Sequence, residues 1–143
     1  QPWKAQWWTR EVMDRLYSAR PDGYCGDEDN GQTSAWYVFS ALGFYPVCPA
    51  SDEYVLGSPL FPRATVMLEN GAELVIEAEG NAPSRRYIAS AEVDGKPYTH
   101  NFLRHSELVK GARVRLTMSE EPNTTRGTAE EDAPYSFSRE DCR

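Results

Sequence analysis

An acidic stretch between two glycines, followed at once by an apolar helix pattern, constrains this chain more than any other part of it. Residues 26–32 read Gly-Asp-Glu-Asp-Asn-Gly-Gln. The residues after them carry apolar side chains at helical i, i+3, i+4 and i+7 spacing, namely Ala35, Val38, Phe39 and Leu42. Gly43 stands where a helix C′ residue is favoured, and Pro46 blocks continuation. The sequence therefore predicts an acidic loop that leads into a helix over residues 33–42.

The position of this loop at a helix N-terminus bears on its chemistry. Unpaired backbone N–H groups and the positive end of the helix dipole stabilise negative charge there, which should keep Asp27 and Asp29 ionised at neutral pH. An ionised carboxylate can act as a general base, a metal ligand or a hydroxyl acceptor, but not as a general acid. Acidic runs are more often solvated surfaces or helix caps. Neighbouring aromatic side chains favour a supported pocket here: Tyr24, Trp36, Tyr37 and Phe39.

Another helix is predicted before the loop, over residues 4–17. Its apolar side chains fall on one face, which predicts packing: Trp8, Val12 and Leu16 in line, with Met13 beside them. Residues 20–23 (Arg-Pro-Asp-Gly) form a turn signature. Residues 45–62 contain four prolines but also many apolar side chains, so we expect an ordered crossing segment there and not a flexible linker.

The rest of the chain is patterned as strands. Runs at residues 65–69 and 73–78 flank Asn70-Gly71, and runs at 87–93 and 96–102 flank Asp94-Gly95; both dipeptides are strong hairpin signals. Residues 114–118 alternate once more. These five strands predict an antiparallel sheet or half of a sandwich, and the polar residues beyond Glu120 predict an extended tail.

Composition limits the partners that this chain can have. Its 143 residues hold 15 basic and 22 acidic side chains, for a formal charge of −7. That balance argues against binding to nucleic acid or to anionic membranes. No apolar run is long enough to span a membrane. No signal peptide is visible, because the sequence opens at Gln1-Pro2-Trp3 with neither an initiator Met nor an apolar leader segment. We therefore expect the chain to be cut from a longer protein.

Cysteine and histidine give weak signals. Cys25, Cys48 and Cys142 make neither a disulfide framework nor a zinc spacing, and whether Cys25 pairs with Cys48 stays open. His100 and His105 could be ligands or acid–base groups, although a lone histidine in a sheet is more often structural.

Residues 26–32 and 34–49 together strongly resemble glycoside hydrolase family 92. The resemblance continues, in order, at residues 52–61 (Asp-x-Tyr-Val-Leu-Gly-Ser-Pro-Leu-Phe), 101–105 (Asn-Phe-Leu-x-His), 121–123 (Glu-Pro-Asn) and 134–138 (Pro-Tyr-Ser-Phe-Ser). Members of this family are calcium-dependent, inverting exo-α-mannosidases, many of which act on α-1,2 linkages of N-glycans. The resemblance thus implies a Ca²⁺ cofactor and a mannose-containing glycan as substrate. It also implies secretion or a periplasmic location.

The family's catalytic domain is an (α/α)6 barrel preceded by a β-sandwich, so this chain resembles the C-terminal end of such an enzyme. The implied fold class is α+β. Residues 1–44 would be the closing barrel helices with the acidic loop, 45–62 the crossing segment, and 63–143 an antiparallel β-rich segment with its tail. The remainder of the parent polypeptide would then be a partner of this chain.

The resemblance also implies residue roles. Aspartates of the acidic loop provide the family's general base, which by motif position is Asp29, with Asp27 as second candidate or orienting partner. An inverting glycosidase needs a second carboxyl group as general acid. In the family this glutamate lies well upstream of the loop. Glu11 is the only glutamate before the loop here, and it lies in the packed helix pattern. We therefore expect the isolated chain to be inactive.

Two alternatives remain open from the sequence. A carbohydrate-binding accessory β module without catalysis would explain the strands and aromatic residues, but not the helical third with its acidic loop. A purely structural segment of an incomplete product would expose apolar surface, because part of a barrel cannot cover its own packing face.

Overall fold

A computed structural model describes residues 1–139 of the chain. It contains three α-helices: α1 (Pro2–Leu16), α2 (Gln32–Leu42) and α3 (His105–Leu108). Eight strands accompany them: β1 (Phe44–Tyr45), β2 (Glu53–Leu56), β3 (Arg63–Met67), β4 (Glu73–Glu79), β5 (Tyr87–Val93), β6 (Lys96–Pro97), β7 (Phe102–Arg104) and β8 (Ala112–Ser119). Within residues 1–139, no helix combines the length and apolarity needed to cross a bilayer.

The strands form two sheets. A small sheet has the order β1-β2-β7, and a larger one has the order β3-β4-β8-β5-β6. All pairs are antiparallel except β4 with β8. The fold is thus α+β with an antiparallel-rich sheet, as the sequence predicted. The single parallel pair was not predicted, because β4 and β8 are joined by a long connection with no local pairing signal.

One hydrophobic core connects the two sheets. Strand β8 alternates strictly, with Ala112, Val114, Leu116 and Met118 buried and the intervening side chains exposed. Strand β4, which lies between two neighbours, is buried through Leu74, Val75 and Ile76 in succession. Phe44 and Leu103 of the small sheet belong to the same cluster. Burial of each large aliphatic side chain contributes about 1.5–3 kcal/mol, so this cluster dominates the stability of the β-rich part.

Both predicted hairpins are present. Asp94 and Gly95 have φ values of 51° and 75° and form a two-residue turn between Val93 and Lys96. The second arm is shorter than predicted: it ends at Pro97, and the chain re-enters a strand only at Phe102, in the other sheet. Asn101 lies at this change of sheet, where its N–H donates to the Asp132 carbonyl (2.9 Å).

Helix α1 packs on a different face from the one predicted. Its buried residues are Gln6, Arg10 and Met13, whereas Trp8 and Leu16 are 63% and 51% exposed. The prediction of a packed line is therefore wrong for Trp8 and Leu16 within residues 1–139, whereas Val12 is half-buried and Met13, predicted beside that line, is buried. The reason is that α1 docks on the β-rich part through polar side chains, which a search for apolar periodicity does not detect.

The segment over residues 45–62 is ordered and supplies the small sheet with strand β2. Between Glu121 and Arg139, the described part of the tail, there are two short 3₁₀ turns, Glu130–Asp132 and Phe137–Arg139. The tail packs through Arg126, whose guanidinium donates to the carbonyls of Tyr98 and His100, both at 3.1 Å. The domain boundaries at residues 44 and 62 stay predictions.

Candidate active site

The turn before helix α2 sets the shape of the acidic loop. Asn30 and Gly31 both adopt left-handed conformations, with φ values of 53° and 87°. The Gln32 N–H donates to the Asp29 carbonyl at 3.0 Å, and the Ala35 N–H donates to the Gly31 carbonyl at 2.9 Å. Glycine and asparagine tolerate these dihedrals better than other residues. The Asn-Gly pair therefore lets the chain reverse directly into the helix.

The carboxylate at the N-terminus of α2 belongs to Glu28. The Ser34 N–H donates to Glu28 Oε2 at 3.0 Å and to Oε1 at 3.3 Å, and the Ser34 hydroxyl donates to Oε1 at 3.2 Å. Sequence reasoning assigned this environment to Asp27 and Asp29 and missed Glu28. The available signal was a Glu six residues before a Ser, but this pairing requires the left-handed turn at Asn30-Gly31.

The two predicted site residues are anchored through their backbones. The Thr33 hydroxyl donates to the Asp27 carbonyl at 3.3 Å, and the Asp29 carbonyl accepts the Gln32 N–H. Both aspartates are exposed. Over residues 1–139, neither carboxylate takes part in a hydrogen bond or an ion pair of this structure. Their carboxylates thus remain available to a ligand while their backbones are held.

An aromatic cluster supports the loop from the side of α1. The Tyr17 ring stacks on Trp36 (5.6 Å between centroids), lies 5.0 Å from Tyr37, and meets the edge of Tyr24 at 5.9 Å. Its hydroxyl donates to the Thr33 carbonyl at 3.3 Å. The predicted support by Tyr24, Trp36 and Tyr37 is thus present, but its centre, Tyr17, was not identified from the sequence. Phe39, which was predicted to belong to this cluster, packs on the core against Phe44 and Tyr54 instead.

The environment of Tyr17 keeps its hydroxyl protonated. Burial, followed by the adjacent Cys25 thiol and the Glu28 carboxylate, raises the pKa of Tyr17 to about 12. The hydroxyl is therefore a hydrogen-bond donor at any physiological pH. It links the end of α1 to the first turn of α2, which the acidic loop directly precedes.

Helix α1 is in turn fixed to the β-rich part by ion pairs. Arg86 pairs with Glu11 and with Asp14 (2.9 Å), and its guanidinium lies 5.0 Å from the centre of the Trp7 ring. Trp7 also stacks on Tyr87 at 6.1 Å. Glu11 is committed to Arg86 and Arg15, which agrees with its expected role in helix packing and not in acid catalysis.

The remaining candidates have structural partners. His105 Nδ1 and the Tyr54 hydroxyl form a hydrogen bond of 2.9 Å. His100 Nδ1 lies 3.3 Å from Asp132 Oδ1. Cys25 and Cys48 are free thiols, and Cys142 lies outside the described residues. Across the part of the chain that the structure describes, no three His, Cys, Asp or Glu side chains come together in a group able to hold a metal ion.

Comparison with known proteins places this geometry in a family. The model of the glycosyl hydrolase family 92 catalytic domain matches residues 1–120. A structure of a family GH92 inverting mannosidase from Bacteroides thetaiotaomicron is 54% identical and covers 97% of this chain, with a TM-score of 0.91. A GH92 α-mannosidase from the same bacterium, in complex with mannoimidazole, is 39% identical over 95% of this chain, also at a TM-score of 0.91.

A curated relative, an uncharacterized secreted glycosidase from Arthroderma benhamiae, is 27% identical over 118 residues, which is 80% of this chain. The chain spans only 15% of that protein and 19% and 18% of the two bacterial structures. The family match nevertheless runs without a break from α1 through the acidic loop to the end of β8. The chain therefore belongs to glycosyl hydrolase family 92 and forms part of its catalytic domain.

Proposed function

We propose that this chain is the C-terminal part of an inverting exo-α-mannosidase and that Asp29 is the general base that activates water. The single observation that carries the assignment is the acidic loop: its backbone is anchored to α2 while the Asp29 carboxylate is exposed and unengaged in residues 1–139. A free carboxylate on a fixed backbone is what removal of a proton from water requires. Asp27 is the second candidate, as base or as the group that orients the water.

The general acid is proposed to come from the remainder of the parent polypeptide. In an inverting mechanism the acid protonates the leaving oxygen while the base activates water on the opposite face of the sugar, about 6.5–9.5 Å away. Glu11 does not serve, because it is held by Arg86 and Arg15. The isolated chain should accordingly show no hydrolysis of an α-mannoside, and measurable turnover by it would contradict this division of the catalytic pair.

The base assignment is tested in the full-length enzyme with Asp29→Asn and Asp27→Asn. We expect Asp29→Asn to lower kcat by about 10²–10⁴-fold, with little change in KM, because the amide cannot take a proton. Asp22→Asn, which removes an exposed charge from the same connection, is the matched control and should retain activity. NMR of the released mannose should show inversion. Near-normal kcat in Asp29→Asn would remove the assignment.

The substrate is proposed to be a terminal α-mannoside, with α-1,2 linkages of N-glycans preferred. The inverting mannosidase and the mannoimidazole complex among the structural relatives support the sugar. The linkage rests on the family resemblance, and turnover of α-1,2, α-1,3 and α-1,6 mannobiosides would test it. A secreted or periplasmic location is also proposed, supported by the secreted fungal relative. Fractionation of cells that express the parent protein would test it.

A calcium requirement is proposed from the family resemblance alone. The donor set within residues 1–139 does not fit a calcium site, since Glu28 is engaged with Ser34 and no acidic group of three is assembled. A calcium site would therefore need further ligands from the rest of the parent polypeptide, and we derive no step through the ion. Loss of activity with a chelator, restored by added Ca²⁺, is the test.

The alternative, a non-catalytic carbohydrate-binding β module, explains less. It accounts for the sheets but leaves α1, α2 and the anchored acidic loop without a role, although the family match covers them. Calcium-dependent binding of mannose without hydrolysis, in the full-length protein, would favour it.

A further inference from the structure

We propose that Glu28 is a positioning residue for the catalytic loop: it fixes the loop on helix α2 and leaves the flanking aspartates free to act. The inference rests on the proposed function, because it assigns Glu28 a part in presenting the base. It separates the roles of three consecutive acidic side chains.

The three acidic residues of the loop, Asp27, Glu28 and Asp29, are held in two different ways. Asp27 and Asp29 are both bound through backbone carbonyls, which accept from Thr33 Oγ1 and the Gln32 N–H. Glu28 alone is bound through its carboxylate. All three contacts go to the first turn of α2. The carboxylates of Asp27 and Asp29 thus make no contact with the helix, whereas the carboxylate of Glu28 binds its first turn.

The hydrogen bond between the Glu28 carboxylate and the Ser34 N–H closes a ring of chain atoms around the turn. The contact of Glu28 with Ser34 spans six residues and encloses Asp29, Asn30 and Gly31. The Ser34 hydroxyl oxygen also lies 3.2 Å from the Gly31 carbonyl oxygen, so its single proton is shared between this carbonyl and Glu28 Oε1. Asn30 and Gly31 are in left-handed conformations. The Glu28 carboxylate adds a side-chain contact to the hydrogen bonds that hold the backbone of this turn, and it thereby helps to fix where Asp29 lies.

Glu28 differs from its neighbours in how its carboxylate is used. Both of its carboxylate oxygens accept from Ser34, whereas the Asp27 and Asp29 carboxylates have no such contact within residues 1–139. Tyr17 holds the other side of the same turn through its contact with the Thr33 carbonyl. The first turn of α2 is thereby fixed to α1 while Glu28 fixes the loop to it.

The experiment compares Glu28→Ala, Glu28→Gln and Asp29→Ala in the full-length enzyme, each with and without sodium azide. A glutamine oxygen can still accept the Ser34 N–H, whereas alanine cannot. Azide attacks the anomeric carbon without needing a base, so it restores an enzyme that lacks its base but not one whose loop is misplaced. Glu69→Gln, an exposed glutamate beside the β3–β4 turn, controls for the lost charge.

We expect Glu28→Ala to lower kcat about 10–100-fold with KM nearly unchanged, and azide to leave that loss in place. Glu28→Gln should recover most of the activity, and Ser34→Ala, which removes the hydroxyl but keeps the backbone donor, should lose less than Glu28→Ala. Asp29→Ala should be restored by azide, with a β-mannosyl azide as product. Glu69→Gln should match the wild type.

Two results would overturn the proposal. Equal inactivity of Glu28→Ala and Glu28→Gln, both restored by azide, would make Glu28 the base. Wild-type kcat in Glu28→Ala would show that the tie has no function. If Glu28→Ala does not fold, Glu28→Gln with azide decides between the roles. A wild-type enzyme that releases no mannose would instead refute the proposed function, and so would a fully active Asp29→Ala. Neither outcome depends on the role of Glu28.

Discussion

Arg10, on helix α1, donates from Nη1 to the Pro59 carbonyl at 2.7 Å, although these residues are 49 positions apart in the sequence. The same nitrogen donates to Asn81 Oδ1 at 3.0 Å, and Asn81 itself donates to the Pro59 carbonyl at 3.2 Å. Arg10 is only 3% exposed, and this burial lowers its pKa. One buried cation thus ties the first helix to the crossing segment and to the loop after β4.

The first prediction follows from this contact. Arg10→Ala should lower the free energy of unfolding by about 2–4 kcal/mol, because it removes buried hydrogen bonds to a charged group and leaves a void. The chemical denaturation midpoint measures the change. Arg15→Ala on the same helix is the control: Arg15 is largely exposed in its ion pair with Glu11, so a change of about 0.5 kcal/mol is expected. Equal effects of both substitutions would contradict a special role for Arg10.

A second prediction concerns Gly127 in the tail. Its φ is 67°, its carbonyl accepts from Asn101 Nδ2 at 2.6 Å, and a Cβ added there would overlap the Asn101 side chain. Gly127→Ala should therefore destabilise the protein by about 2–4 kcal/mol, through both backbone strain and displacement of Asn101. Thermal melting measures the loss.

Gly71 provides the matched control for that substitution. Its φ is 82°, but no atom lies within 4 Å of an added Cβ. Gly71→Ala should therefore show the conformational strain alone, about 1–2 kcal/mol. If the two substitutions cost the same, the contact between Gly127 and Asn101 contributes nothing to stability.

A third prediction concerns acid pH. Hydrogen bonds from the Ser106 hydroxyl (2.6 Å), then from its N–H (3.0 Å), lower the pKa of Asp52 below its ordinary 3.8. A carboxylate with a lowered folded-state pKa stabilises the fold above its unfolded pKa, and the stabilisation is lost as pH falls through the folded value. The difference in melting temperature between wild type and Asp52→Asn should therefore be largest near neutral pH.

That difference should shrink steadily as the solution is acidified below about pH 4. Asp22→Asn serves as the control, because Asp22 is exposed like Asp52 but its carboxylate makes no hydrogen bond within residues 1–139. A melting difference for Asp52→Asn that is independent of pH would show that the charge on Asp52 does not contribute.

A fourth prediction concerns alkaline pH. The pKa of Tyr17 is raised from 10.0 to about 12 by burial, with Cys25 and Glu28 adding to it. A tyrosine with a raised folded-state pKa stabilises the fold below its unfolded pKa, and this is lost as pH rises through the folded value. Tyr17→Phe should therefore lose stability less steeply than the wild type between about pH 10 and pH 12.

Ultraviolet absorbance measures the same group directly. The phenolate signal that appears near pH 12 in the wild type should be smaller in Tyr17→Phe. Tyr24→Phe is the control, since Tyr24 is 47% exposed at the edge of the same cluster. If Tyr24→Phe instead lost the signal near pH 12, that signal would belong to Tyr24 and not to Tyr17.

Features carried by local pattern were predictable. Gly43 ends α2 in the left-handed conformation, with its N–H on the carbonyls of Phe39 and Ser40, as the Gly-to-Pro spacing indicated. Asp94-Gly95 forms its two-residue turn, and the alternation of β8 reads directly as buried and exposed faces. These signals are local, because each depends on dihedral preferences or side-chain periodicity within a few residues.

The sequence by itself determined where α1, α2, the two hairpin turns and the acidic loop lie, and through its resemblance the family to which the chain belongs. Only the tertiary structure decided which face of α1 is buried, that β4 pairs with β8 in parallel, and that Glu28 caps α2 while Asp27 and Asp29 keep free carboxylates. The physical reason is that these features depend on contacts beyond the few neighbouring residues that a local pattern covers. Polar docking by Arg10, strand pairing across a long connection and a carboxylate folded back over a left-handed turn all depend on groups brought together in space, and neither propensity nor periodicity records them.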